Sequence, residues 1–500
     1  IQIDHAPPSR FMHLAYKGRH WAEQTLNAYV DGPRQRAIAS ALVLGVTDGL
    51  DDELLNAYSA TGSMHILAVS GLHISILYFI FLWLLSPLKR LPKGRWMIAF
   101  ISLIALWLYA FVTGLPPSVL RAVGMFSFLA IARPWAKSTN IYNTLAVSAF
   151  FLLMFDPFLV RSVGFQLSYL AVFGIVYIYP RILRLWEPDH WLTIEVWKLS
   201  AVSIAAQIAT FPLGLLYFHQ FPNYFLISNL VVVPVSFFVL ITGLILLALS
   251  FLPALAVLLG FCLKWTISFL NGFVFTLEGL PFSVIGDVYI TSWQCVLLLA
   301  FILAVLCLFE YRKFSYVVIA FFLMTVFGSL QWIHFFREVG VKKLAVYNIP
   351  GHSAIDLIDH GRSSLIADTA LLAHSQKLRF HVLPHRQISG VVCESTGFAT
   401  HSFPGGQLIL WHGKKILKLT DPFFELPGLI EVDWLIIGNN SLPDIGKIQD
   451  RITFRKILLD SSNSFFFASR FLEVAKLYKL EVHSVLHQGA FILKIENENT

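Results

Sequence analysis

The chain is 500 residues long, 56% hydrophobic and only 13% charged, with 44 Phe and a formal net charge of +7. Its mean hydropathy of +0.68 exceeds what a soluble domain carries, which excludes a wholly soluble globular protein. The excess of Lys and Arg sits in loops, so a basic nucleic-acid-binding arm is excluded as well.

In chain order, residues 1–63 come first. Residue 1 is Ile rather than Met, and no positively charged n-region, apolar h-region and small-residue cleavage site precedes the first apolar run. Sequence upstream of residue 1 is therefore expected to be missing. Runs free of Asp, Glu, Lys and Arg then recur at the length a bilayer demands, about 20 residues: 64–86, 96–112, 162–180, 288–309 and 314–336. The longest, 199–263, must cross more than once. Proline and polar residues divide it at 219–223 and 250–253, and its last part continues to residue 277 across Lys264. Two less clean spans, 119–132 carrying Arg121 and 140–156, bring the expected count to ten.

Orientation follows from where Lys and Arg collect, because short cytoplasmic loops are enriched in them. Lys89, Arg90, Lys93 and Arg95 follow the first span, Arg133 and Lys137 the third, Arg181, Arg184 and Lys198 the fifth, and Arg312 and Lys313 the ninth. The connections 113–118, 219–223 and 278–287 carry neither Lys nor Arg and face outward. The turn at 250–253 has no charge, so parity alone places the seventh and eighth spans. Both 1–63 and the tail are then expected outside the cytoplasm of an inner-membrane, multi-pass protein.

Composition returns to soluble values near Arg337. Short apolar runs at 344–347, 364–367, 432–437 and 456–459 read as strands, and 464–479 reads as a helix. The tail is thus expected to be a soluble α/β domain of ordinary size. Cys262, Cys295 and Cys307 fall within spans and Cys393 is the one cysteine in the tail, so neither a disulfide framework nor a zinc cluster is expected.

Polar residues are costly inside a membrane helix, which singles out 60–75, where His65, Ser70, Gly71 and His73 interrupt the start of the first span. Two readings of Ser70-Gly71 stand side by side. A small pair is a close-packing site between helices, whereas a discontinuous helix presents backbone groups and a helix end to a substrate. Pro212 and Pro234 read as kinks, and clusters such as Phe321-Phe322 and Phe335-Phe336 as lipid-facing or interfacial filler.

The block His65-Ile-Leu-Ala-Val-Ser-Gly-Leu-His73, preceded by Ala41-Leu-Val-Leu-Gly45 and Gly49-Leu-Asp-Asp-Glu-Leu54, resembles the signature of the ComEC competence-protein family. Asp156-Pro157, Gly164-Phe-Gln-Leu-Ser-Tyr169, Gln207-Ile-Ala-Thr-Phe-Pro212 and Ser228-Asn-Leu-Val-Val-Val-Pro234 agree in the same order. The resemblance implies an inner-membrane channel that passes single-stranded DNA into the cytoplasm during natural transformation. Its implied partners are membrane lipid, an extracytoplasmic DNA receptor, and a cytoplasmic helicase or single-strand-binding protein. The family often carries an oligonucleotide-binding domain ahead of this region, and this chain starts too late to contain one. The expected organisation is an extracytoplasmic segment 1–63, a transmembrane channel domain 64–336, and a tail 337–500 resembling the family's metallo-β-lactamase-like domain in degenerate form.

That degeneracy is legible residue by residue. Tyr347-Asn-Ile-Pro-Gly-His-Ser353 stands where active members have Gly-Gln-Gly-Asp, no His-x-His-x-Asp-His cluster occurs, and Asn439-Asn440-Ser441 replaces the later His-His-Gly-Ser. A metal site needs several correctly spaced ligands. The tail is therefore expected to hold no metal, use no cofactor and catalyse no reaction. His381 and His385 are spaced as a ligand pair, with scattered surface histidines as the plainer reading.

Physical chemistry supports a DNA path independently. A polyanion crossing hydrocarbon needs a wet path lined by groups that donate hydrogen bonds without holding phosphate too firmly, which suits neutral His, Ser, Asn and Gln. The candidates are His65, Ser70, Gly71, His73, Gln166, Ser168, Gln207 and Asn229, together with Arg121 as the one fixed cation deep in a span. Arg121 either attracts phosphates in transit or pairs with Asp156. An inside-negative potential opposes anion entry by about 2.3 kcal/mol per charge per 100 mV, and the chain has no Gly-x4-Gly-Lys-Ser/Thr loop. The motor is expected on a separate polypeptide. A small-molecule permease and a membrane-anchored metal-dependent nuclease are the competing readings.

Overall fold

The structure, a computed structural model, describes residues 10–135, 140–286, 288–391, 393–394, 399–424, 428–442, 446, 448 and 451–495. Lys137 and Asp287, which entered the loop reading, lie outside the described residues. The chain divides into two compact units, Ile1–Gly286 with Cys295–Val317, and Asp287–Gln294 with Val318–Thr500.

The first unit is helical. Its elements are α1 (Arg10–Tyr29), α2 (Pro33–Leu44), α3 (Asp52–Ala60), α4 (Met64–Leu67), α5 (Gly71–Leu84), α6 (Gly94–Val112), α7 (Pro117–Ala132), α8 (Ile141–Phe155), α9 (Val163–Leu183), α10 (Trp191–Phe218), β1 (Phe221–Pro222), α11 (Phe225–Ala248), α12 (Pro253–Glu278), β2 (Val284–Ile285) and most of α13 (Ser292–Tyr311). Local sequence sets several of the starts. Proline opens α2, α7 and α12, where its missing N–H and fixed φ cost nothing. Asp51 caps α3 by accepting from the Leu54 N–H at 2.8 Å.

Ile38, Leu42 and Val43 of α2 pack in one core with Val232, Val239 and Leu246 of α11 and Leu263, Ile267, Leu270 and Val274 of α12. Residues ahead of the first expected span thus lie at the centre of the helical unit. Two polar ties hold them there: Tyr58 donates to Asn271 Oδ1 at 3.0 Å in the interior, and half-buried Tyr109 donates to the Val43 carbonyl at 2.9 Å. Small residues let backbones approach, as in other membrane helix pairs. A Cβ on Gly260 would stand 2.1 Å from the Tyr29 carbonyl oxygen, and one on Gly174 2.4 Å from the Ala209 Cβ.

Among the described residues, seven helices are long and apolar enough to cross a membrane: α6, α9, α10, α11, α12, α13 and α14 (Phe314–Val339). The protein is a multi-pass membrane protein of at least that many candidate spans. Three of the ten expected spans correspond to shorter apolar helices, α5, α7 and α8. The first expected span is split, α4 ending at Leu67 and α5 starting at Gly71, while α7 starts at Pro117 behind Pro116. Pro212 and Pro234 lie inside the continuous helices α10 and α11.

The second unit holds most of α14 and the tail. Strands β3 (Lys342–Val346), β4 (Ala354–Asp359), β5 (Arg362–Ala367) and β6 (Cys393–Glu394) are followed by β7 (Ala399–Phe403), β8 (Gly406–Trp411), β9 (Lys414–Leu419), β10 (Ile430–Ile437), β11 (Ile452–Leu459), β12 (Val482–Ser484) and β13 (Phe491–Ile495). Helices α15 (Thr369–Leu372), α16 (Ser375–His381), α17 (Leu383–Ile388), α18 (Phe465–Leu477) and α19 (Val485–Gln488) complete it. One sheet runs β12-β11-β10-β9-β8-β7 and the other β13-β3-β4-β5-β6. The first is parallel from β12 to β9 and antiparallel from there to β7; the second is antiparallel except for the β5–β6 pair.

Period-2 alternation builds the layers. Leu344, Val346, Ile355 and Leu357 of one sheet meet Ile416, Trp434, Ile436 and Leu458 of the other. The alternate residues Leu435, Ile437, Ile457 and Leu459 pack on α18 through Ala468, Phe471 and Ala475. On the far side of the smaller sheet, Ala345, Tyr347 and Ala354 meet Leu371 and Val382. The order is helix, sheet, sheet, helix.

Candidate functional site

The structure breaks the helix where the sequence has its polar interruption. Ala68 (φ −94, ψ 140) and Ser70 (φ −115, ψ 174) are extended, and α5 starts one residue later at Gly71. Ser70 is the N-cap: its Oγ accepts from the Leu72 N–H at 3.3 Å, and its own N–H donates to His73 Nδ1 at 3.1 Å. This is a capping box with histidine at the third helical position, where Glu or Gln commonly stands. Because Nδ1 accepts from a backbone N–H, its proton is on Nε2 and the ring is neutral, an assignment that rests on the bonding pattern. Ser70 Oγ, 3.0 Å from the same nitrogen, then donates to it.

The first turn of α7 holds the break open. Ser118 Oγ donates to the Val69 carbonyl at 2.8 Å, satisfying an acceptor that no helix supplies with a donor. A Cβ on Gly71 would sit 3.8 Å from Ala122 Cβ, so the glycine is both the start of the second helix and a close contact with α7. The two sequence readings of Ser70-Gly71 are therefore not exclusive. His73 is buried at 2% exposure, whereas His65 is exposed and its Nδ1 lies 3.1 Å from the Gly62 carbonyl.

Arg121, one turn into α7, is 5% exposed. The pairing with Asp156 is absent: Asp156 Oδ1 instead accepts from the Phe158 N–H at 3.0 Å, capping a short 3-10 turn. Among the described residues, Arg121 Nε and Nη1 are buried and meet no acceptor. Nη1 and Nη2 lie 3.8 and 3.9 Å from where a Gly164 Cβ would be, next to the first turn of α9. Gln166 on that helix donates to the Val160 carbonyl at 2.9 Å and accepts from Tyr217 of α10 at 2.8 Å, so its amide is held by protein. Ser168 and Gln207 are half-buried, and Asn229 is half-buried with Oδ1 lacking a donor among the described residues. Ser70, Gly71, His73 and Arg121 are gathered around α7, whereas Gln207 and Asn229 on α10 and α11 take no part in these contacts.

Sequence reasoning missed Ser118 and Gly164. Pro116-Pro117-Ser118 signals a helix start, but the partner of the serine hydroxyl is a tertiary matter.

In the tail, Asn439 and Asn440 adopt left-handed backbone (φ +51 and +56) and serve the fold. The Asn439 N–H donates to Ser462 Oγ at 2.8 Å, and the Asn440 N–H donates to Asn463 Oδ1 at 2.8 Å. His381 is exposed at the end of α16, whereas His385 Nδ1 lies 3.0 Å from the Tyr347 hydroxyl. Burial, with the Lys343 ammonium nearby, pushes His385 down to about 4, so the ring is neutral at pH 7. Among the described residues no group of three or more His, Cys, Asp or Glu side chains is arranged to hold a metal ion.

The chain is 31% identical to ComE operon protein 3 of Bacillus subtilis over 226 residues, 44% of this chain and 27% of that protein. It is 26% identical to Recombination protein 2 of Haemophilus influenzae over 44% of this chain and 29% of the relative. It is 29% identical to Competence protein ComA of Neisseria gonorrhoeae over 33% and 24%. The matched segments thus span about a quarter of the length of these curated relatives. No solved structure matches the chain. Residues 344–495 match the ComEC C-terminal domain and residues 42–313 match the Competence protein family, and with more than half of its length so covered the chain belongs to that family.

Proposed function

We propose that this chain forms the membrane conduit of a DNA-uptake system, passing single-stranded DNA into the cytoplasm during natural transformation. The observation that carries the reading is the family match over 42–313, which contains the interrupted helix α4–α5 and the polar side chains clustered at its break. Relatives named for competence and recombination fit the same role. Phosphate needs polar donors across the hydrocarbon, and a gap such as 68–70 supplies them only where protein or a water-filled cavity covers it. The membrane potential opposes the strand's charge, so an outer receptor delivers DNA and a cytoplasmic helicase or single-strand-binding protein pulls it. Disrupting the gene should abolish transformation while labelled duplex DNA still binds at the cell surface. Transformation at the parental frequency in the disrupted strain overturns the reading.

The topology we propose has ten spans, with α5, α7 and α8 crossing as well. At about 1.5 Å per residue, the 16 residues of α7 reach about 24 Å, short of a core of about 30 Å. A span shorter than the hydrocarbon core is accommodated by local thinning of the bilayer and by flanking polar side chains that reach the interface. Both ends of the chain then face outward. Cysteines introduced at Lys93 and Lys313 should label only with membrane-permeant thiol reagents in cells stripped of outer membrane, while those at Glu278 and Lys415 should label with impermeant ones. Protection of Lys415→Cys from the impermeant reagent, with Lys93→Cys reactive, overturns the arrangement. The tail, with its helix–sheet–sheet–helix layering, is read as a metallo-β-lactamase-like fold converted to a scaffold or receptor-docking role without hydrolytic chemistry.

A further inference from the structure

Arg121 presents an unanswered charge. A guanidinium removed from water costs several kcal/mol unless it is paired, yet its Nε and Nη1 are buried without an acceptor among the described residues, and Asp156 is engaged elsewhere. The side chain points at the opening turn of α9, whose first N–H groups have no intrahelical acceptor and whose dipole is positive at that end. Ser162 Oγ takes the Phe165 N–H at 3.2 Å. Gly164, the second residue of α9, is exposed, and a Cβ there would lie 3.8 Å from Nη1 and 3.9 Å from Nη2. A bare glycine thus leaves open the place where a helix end and a guanidinium converge.

We propose that Arg121 and the first turn of α9 at Gly164 form a phosphate-binding site that receives the phosphodiester groups of a passing strand. This rests on the conduit reading above. The guanidinium fork matches two phosphate oxygens, and helix N-termini hold phosphate through backbone N–H groups. A single cation holds each phosphate briefly, as conduction requires. The same chemistry would recognise a phospholipid headgroup, so the test separates the two sources.

The full chain is placed in phosphatidylcholine nanodiscs and binding is measured by fluorescence anisotropy. Two labelled single strands of one sequence are used, one with a phosphodiester and one with an uncharged methylphosphonate backbone. Arg121→Met is expected to weaken phosphodiester binding about tenfold, the size of one charge-assisted hydrogen bond, and to leave methylphosphonate binding at the wild-type level. Gly164→Asp provides the independent arm. Its carboxylate pairs with Arg121 from within, so melting temperature should rise while phosphodiester binding falls; a fold defect would lower both. Wild-type phosphodiester affinity in both variants overturns the site and leaves the conduit reading intact. Loss in Arg121→Met of a phospholipid that the wild type retains in native mass spectrometry, with strand affinity unchanged, assigns the charge to lipid and also overturns it. A wild-type protein that binds neither strand overturns the conduit reading and the site together.

Discussion

Replacing Asp356 by Ala is expected to destabilise the tail by about 3–5 kcal/mol, the usual cost of leaving one member of a buried ion pair without its partner. Asp356 lies in the middle of β4 with no exposure. It accepts from Arg386 Nε at 2.7 Å and Nη2 at 3.3 Å, and from the Tyr347 hydroxyl at 3.1 Å. Burial and Asp356 both push the Tyr347 hydroxyl up, so it stays a donor and His385 in turn donates to its oxygen. Removing the carboxylate strands a guanidinium and a phenol together. The other partner of Arg386, Glu394, has a side chain 78% exposed and is worth little in water. Since a domain has only about 5–15 kcal/mol in total, amides of β3, β4 and β5 should exchange hydrogen on the order of a hundredfold faster or more in the full-length protein. The double variant Asp356→Leu/Arg386→Met removes both charges and should recover most of the loss, because a buried pair replaced as a unit is near neutral. Unchanged exchange in Asp356→Ala would show that the pair contributes nothing to holding β4 against α17.

Much of this architecture is written in hydrophobic runs. The charge-free stretches other than 64–86 correspond to α6, α9, the later part of α10, α11, α12, α13 and α14, because a bilayer-length apolar segment has few alternatives to a helix. The tail strands β3, β5, β10 and β11 were equally legible, since short apolar runs rich in Val, Ile and Leu bounded by turn residues fit a sheet. Helix α18 follows Ser464, whose Oγ caps it through the Phe467 N–H at 3.2 Å. What local reading lacked was depth. The α2 run Ala37–Leu44 is apolar but too short to announce a span, and only its packing against α11 and α12 places it at the core. Asp356 alternates correctly within β4, yet nothing nearby in the sequence announces Arg386.

The candidate site divides the same way. Ser70, Gly71 and His73 stood out because polar residues in an apolar run are costly, and the bonds that join Ser70 to His73 span only three residues. Arg121 stood out as a charge, but its setting did not. Whether it faced Asp156 or Gly164 depended on how α7 lies against α9, which no spacing in the sequence encodes. Ser118 is a further case, an ordinary helix-start serine whose acceptor, the Val69 carbonyl, becomes available only because the helix is broken between α4 and α5.

That break carries the second large effect. His73→Leu is expected to lower DNA import by about 5- to 140-fold while the protein remains inserted and DNA remains bound outside. The ring supplies the acceptor for the Ser70 N–H, and an unsatisfied buried N–H costs about 1–3 kcal/mol, which at 1.4 kcal/mol per tenfold gives that range. Leucine favours a helix that extends backwards through 68–70, closing the gap that Ser118 holds open. The conservative variant separates positioning from lining. Glutamine at the third helical position also accepts from an N-cap N–H, so His73→Gln should restore import to within about threefold if the imidazole acts by holding Ser70, since an imperfectly placed cap costs only about 0.5 kcal/mol. If the ring itself must face the strand, glutamine fails as leucine does. Labelled DNA reaching the cytoplasm at the wild-type rate in a His73→Leu protein of normal abundance would remove the capped break from the transport path.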